Sequence, residues 1–106
     1  MGYALFMETS AWYPCDQGAT IGQSGSEAGV IVRDEEHSLG ARITLECKTP
    51  TAPFAITCGV YGWMVHTRFF SAEAEADSEY AVMREALASI LDTVPEANEA
   101  EDRKRM

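Results

Sequence analysis

Basic residues are scarce in this chain: eight lysines and arginines stand against seventeen aspartates and glutamates, a formal net charge of −9. Phosphate recognition needs clustered cations, so nucleic-acid binding is not expected, the more so because three of the eight lie in the last four residues. The acidity reads first as solubility, and second as attraction to a basic partner or mimicry of nucleic-acid charge. Cysteine is scarce too. Cys15, Cys47 and Cys58 form no C-x-x-C pair and leave one over, which excludes a disulfide framework and a cysteine zinc site and predicts buried thiols. Only two histidines occur, His37 and His66, too few to build a metal centre by themselves. No apolar run approaches the roughly 20 residues of a membrane helix, and the first ten residues lack the basic start and long apolar stretch of a signal peptide. The expectation is a cytoplasmic protein with no membrane contact.

Catalytic signatures are missing as well. There is no G-x-S-x-G, no Cys–His–Asn arrangement and no recognisable pair of glycosidase carboxylates. Residues 14–29 carry glycines at 18, 22, 25 and 29 but no G-x-x-x-x-G-K-[ST], so they read as a long loop, a cover or a hairpin extension, and not as a phosphate cradle. No metal and no cofactor is expected.

What is present is one dense stretch, residues 54–70, FAITCGVYGWMVHTRFF, rich in aromatic and β-branched side chains. Seventeen extended residues would reach roughly 55 Å, far beyond an ordinary strand, so Gly59 or Gly62 must bend or divide it. Residues 3–13 read as a first strand stopped by Pro14. Residues 30–33 and 41–48 read as a hairpin whose turn is the polar segment 34–40, with Asp34, Glu35, Glu36 and His37 as a solvated charge run. In the second arm Ile43, Leu45 and Cys47 alternate with Arg42, Thr44 and Glu46, so one side meets a core and the other meets water or polar neighbours. A short proline-bracketed turn, 49–53, makes the next strand an antiparallel neighbour and brings Cys47 and Cys58 close on one face.

Residues 71–94 carry Tyr80, Met83, Leu87, Ile90, Leu91 and Val94 at spacings of three and four, one apolar stripe on a helix that Ser71 would cap and Pro95 follows. The fold class is therefore α+β: an antiparallel sheet of about four strands, built as meander or hairpins, with one long C-terminal helix packed on one face. A single domain is expected over residues 1–95, with 96–106 as a solvated tail.

One sheet face would stay uncovered, bearing Tyr61 and with it Phe6, Val30 or Trp12, and such a face calls for a partner or ligand. The expected function is a non-catalytic binding or regulatory module acting as a homodimer, sheet against sheet or through an edge strand, one version being an inhibitor-like or immunity-like partner of a basic protein. The alternative is a small cofactor-independent enzyme. Tyr61, Trp63, His66 and Arg68 are the candidate ligand-binding residues. If His66, Tyr61 and Arg68 converge on one concavity the enzyme gains; if they are spread over both faces it fails.

Overall fold

The computed structural model describes residues 11–93. Five strands, β1 (Trp12–Pro14), β2 (Val30–His37), β3 (Ala41–Cys47), β4 (Phe54–Val60) and β5 (Met64–Phe70), are followed by one helix, α1 (Glu73–Thr93). They form a single antiparallel meander in the order β1-β2-β3-β4-β5. The fifth strand arises because residues 54–70 divide. Trp63 N–H donates to Val60 O at 2.9 Å, and Gly62 supplies the left-handed residue of that turn with φ of 80°, a conformation disfavoured for any side chain with a Cβ.

Helix α1 lies chiefly across β4 and β3. Its buried residues are Ala76, Tyr80, Met83, Leu87 and Leu91, spaced by four, three, four and four, so all point one way from a 3.6-residue helix. They meet Ala41, Ile43, Leu45, Ile56, Cys58, Val60 and Phe70. Each fully buried aliphatic or aromatic side chain of this kind contributes on the order of 1.5–3 kcal/mol through removal from water, which makes this layer the chief source of stability. Ala76 extends the apolar stripe one turn beyond Tyr80, where a small side chain lets helix and sheet approach. Val94 and the strand expected before Ala11, with Phe6, lie outside the described residues.

Several expectations need correction. The run Asp34, Glu35, Glu36 and His37 is not a turn: β2 continues through His37, and the reversal is made at residues 38–40. Alternation then deals the four residues to both faces, where each finds a partner from another element. Trp12 is not on the uncovered face, because it pairs with His37, which pairs with Ala41 of the helix-side core. Its ring meets the His37 ring edge-on at 4.9 Å. Val30 pairs with Cys47 and so also falls on the helix side. Cys47 and Cys58 share a face but not a neighbourhood: Cys47 pairs with Phe54 and Cys58 with Ile43, and all three cysteines are free thiols.

His37 is buried, and its Nδ1 accepts the Leu39 N–H at 3.0 Å. Burial, aided by the Arg84 charge and opposed by Asp92, holds the imidazole below its ordinary pKa. The unfolded chain thus takes up a proton near pH 6.5 and the folded chain only at lower pH, so stability falls as pH drops below about 6.5. Thermal melts at pH 7.5 and 5.0 are expected to show this loss, with a shallower dependence in His37→Gln; an unchanged slope would place its origin elsewhere.

Candidate functional site

The face opposite the helix is built from the alternate residues of the same strands. Arg42, Thr44 and Glu46 from β3 stand beside Thr57 and Gly59 from β4, with Val65, Thr67 and Phe69 from β5 at the rim. Although polar, Thr44 and Glu46 are buried: Thr44 is bonded to Asp34, and residues 25–29 fold back against Glu46. The segment 19–29 is a tied hairpin extension: Gly22 N–H donates to Ile31 O at 2.8 Å, Ile31 N–H to Gln23 O at 2.9 Å, and Gly25 N–H to Gly29 O at 3.1 Å. Its tip is held by Glu46, fully buried, whose Oε1 accepts the Gly29 N–H at 2.9 Å while both carboxylate oxygens accept the Glu27 N–H at 3.1 and 3.2 Å. A Cβ on Gly29 would fall 2.5 Å from Cys47 O and 2.7 Å from Thr49 Cγ2, so only glycine lets the loop approach this closely.

Between this loop and the β4–β5 turn lies an open cleft of about 610 Å³. Thr44, Thr57 and Gly59 line it, Ser24, Gly25 and Ser26 form the loop side, and Tyr61, Trp63 and Val65 the side of the turn and β5. Tyr61 is 46% exposed and Trp63 50%. The Tyr61 hydroxyl donates to Glu36 at 2.6 Å; burial and this carboxylate push the phenol well above its usual range, so it remains a neutral donor. Arg42 lines the same cleft, held by a fork: Nε donates to Asp34 Oδ1 at 2.9 Å and NH2 to Oδ2 at 2.6 Å, and Thr44 Oγ1 adds a bond of 3.0 Å to Oδ1. Burial opposes the charge on Asp34, but the bonds from Arg42 and Thr44 outweigh it and hold the carboxyl below the ordinary range.

No family model matches this chain, and neither a curated protein nor a solved structure is similar to it. Its chemistry therefore has to be judged on the geometry alone.

The four candidates named from the sequence divide two and two. Tyr61 and Trp63 line the cleft. His66 pairs with Cys58 and Arg68 with Ile56, which sets both on the helix side of β5, and Arg68 donates to Glu79 of α1 at 2.8 Å. His66, Tyr61 and Arg68 thus do not converge. The cleft offers the hydroxyls of Ser26, Thr44 and Thr57 but neither histidine lines it, so no hydroxyl has an imidazole base. Burial raises the thiol pKa of Cys58 and, with help from Asp34, that of Cys15, which opposes nucleophilic use. Among the described residues no group of three or more His, Cys, Asp or Glu is placed to hold a metal ion, and no helix is long and apolar enough to cross a membrane.

Arg42, Thr44, Thr57, Ser26 and Glu46 were not singled out in the sequence. The alternation of Arg42, Thr44 and Glu46 with core residues was visible, but it is equally the pattern of a strand face in water. Nothing local reveals that a loop from fifteen or more residues upstream will land on it.

Proposed function

We propose that this protein is a non-catalytic binding module whose recognition surface is the cleft of the open sheet face, and that it receives a basic side chain of a partner protein. The observation that carries this reading is the pairing of two half-exposed aromatics, Tyr61 and Trp63, with acidic groups at the rim. Glu36 holds the Tyr61 hydroxyl, and Glu27 lies beside Ser26, whose hydroxyl bonds it at 3.2 Å. Among the described residues the cleft's one cation is Arg42, and it is already neutralised by Asp34. An arginine or lysine stem can lie against the Trp63 and Tyr61 rings, gaining apolar contact and cation–π attraction, while its head reaches a rim carboxylate. Exposed Trp and Tyr are also the residue types that dominate the energetics of protein interfaces, and here they sit on the β4–β5 turn, held by the Trp63 N–H to Val60 O and Tyr61 N–H to Gly40 O bonds, which lowers the ordering cost at binding. The net charge of −9 would speed encounter with such a partner.

The test is a fluorescence titration on a Trp12→Phe background, so that Trp63 is the sole reporter, with an oligo-arginine peptide and an oligo-glutamate peptide of equal length. The basic peptide is expected to perturb Trp63 emission in a saturable, salt-sensitive manner. Glu27→Gln is expected to weaken the response, roughly tenfold for the loss of about 1.4 kcal/mol. Equal responses to the two peptides, or no effect of Glu27→Gln, would remove the reading.

A further inference from the structure

The two edges of the sheet are unlike. On one side β1 pairs with residues 35–37 of β2, and the rest of that outer edge is taken up by the folded-back segment, through the bonds of Gly22 and Gln23 to Ile31 and the bridge between Ser24 and Val30. Pro14, at the end of β1, removes a backbone donor there. On the other side stands β5, seven residues in unbroken register with β4 and, among the described residues, with no strand on its outer side. Its sequence, MVHTRFF, has no proline, no lysine and no bulge, and its one charged side chain, Arg68, is turned to the helix side and paired with Glu79. Its side chains on the open face are Val65, 79% exposed, Thr67, and Phe69, 41% exposed.

We propose that β5 pairs antiparallel with β5 of a second copy, about a two-fold axis at Thr67, to give a continuous ten-stranded sheet. The register is argued from the side chains. Centring on Thr67 sets Val65 opposite Phe69 of the other copy, twice by symmetry, with Thr67 opposite itself between them. Aromatic with β-branched, and threonine with threonine, are favourable cross-strand pairs. Moving the centre by one or two residues separates Val65 from Phe69: one of them then faces Thr67 or its own copy, and the other is left opposite a residue outside β5. On the helix side His66 comes beside Arg68 of the other copy, a charge that Glu79 already balances.

A second copy fits better than stacking of two open faces. The middle of that face is polar and roofed by the loop, while the exposed apolar side chains concentrate on β5 and the turn before it. Because the outer edge of β2 is occupied, pairing at β5 uses the one long edge that is free among the described residues of each copy. The assembly therefore closes at two instead of growing into a fibre. Val65 also lines the cleft, so Phe69 of the second copy would complete the wall beside it. The dimer does not depend on what the cleft binds.

The experiment combines sedimentation over a dilution series with cross-linking. The wild-type protein is expected to be a reversible dimer, and Val65→Lys to raise its dissociation constant at least about tenfold with an unchanged circular dichroism spectrum. Thr67→Cys is expected to form a covalent dimer under mild oxidation that the wild type, with its own three cysteines, does not form. A protein that stays monomeric at every concentration overturns the proposal. A dimer indifferent to Val65→Lys and unlinked through Thr67→Cys overturns it in favour of a different surface.

Discussion

Glu46→Ala is expected to destabilise the protein by about 3 kcal/mol, taking about 1–3 kcal/mol for each buried donor left without an acceptor. Two such donors, the Glu27 and Gly29 N–H groups, converge on this one carboxylate. They belong to a loop that has closed over the sheet, so water cannot replace the lost acceptor without the loop lifting. Glu46→Gln separates the causes. The amide keeps one acceptor oxygen at nearly the same volume but turns its NH2 toward backbone donors, so roughly half the loss is expected. Melting temperature reads the total, at about 4–8 °C per kcal/mol for a domain near this size. Amide hydrogen exchange at residues 25–29 reads the mechanism: faster exchange there, with helix α1 unaffected, means that the loop has opened locally. Equal acceleration everywhere would mean that Glu46 supports the fold as a whole. Because Ser24, Gly25 and Ser26 form one side of the cleft, the Trp63 titration should weaken in step with loop opening.

The second large effect belongs to Tyr80, fully buried at the centre of the helix–sheet layer. Tyr80→Ala is expected to cost about 4 kcal/mol, the usual range for emptying a buried aromatic site, and this is a large share of the 5–15 kcal/mol that holds a typical domain together. The ring packs in the core cluster, and the Arg33 guanidinium lies 3.9 Å from its centroid. Its hydroxyl donates to Glu35 at 2.8 Å, and Arg84 approaches the same carboxylate at 3.2 Å. Burial and Glu35 push the Tyr80 phenol far above its usual range, so it stays a donor at any ordinary pH. Tyr80→Phe removes only this hydrogen bond, and Glu35 keeps Arg84, so about 1 kcal/mol is expected. Urea unfolding of the two variants separates ring from hydroxyl. If Tyr80→Phe cost as much as Tyr80→Ala, the polar network on β2, and not the packing, would be the dominant contribution.

Glu35 shows why the charged run in β2 misleads when read along the chain. Asp, Glu, Glu and His in succession have the composition of a solvated turn, and β-strand preference argues against them. Each is nevertheless used: Asp34 by Arg42 and Thr44, Glu35 by Tyr80 and Arg84, Glu36 by Tyr61, and His37 by Leu39 and Trp12. Their partners lie between 2 and 49 residues away. A strand of unfavourable composition is thus held by contacts that exist only after the sheet and helix have assembled.

The amino-acid sequence by itself determined the α+β class, the single helix with its apolar stripe, the side of β3 that faces the core, and the need to divide residues 54–70. These follow from periodicity and from glycine geometry, which act over a few neighbouring residues and can be read in one dimension. Only the tertiary structure decided that the glycine-rich segment is clamped by Glu46, that Tyr61 and Trp63 share a cleft with Arg42 while His66 and Arg68 turn to the helix side, and that among the described residues β5 is left as the open edge. Each of these depends on register and on the return of distant segments. A shift of one residue in pairing sends a side chain to the opposite face, and no local pattern records which distant donor a buried carboxylate will meet.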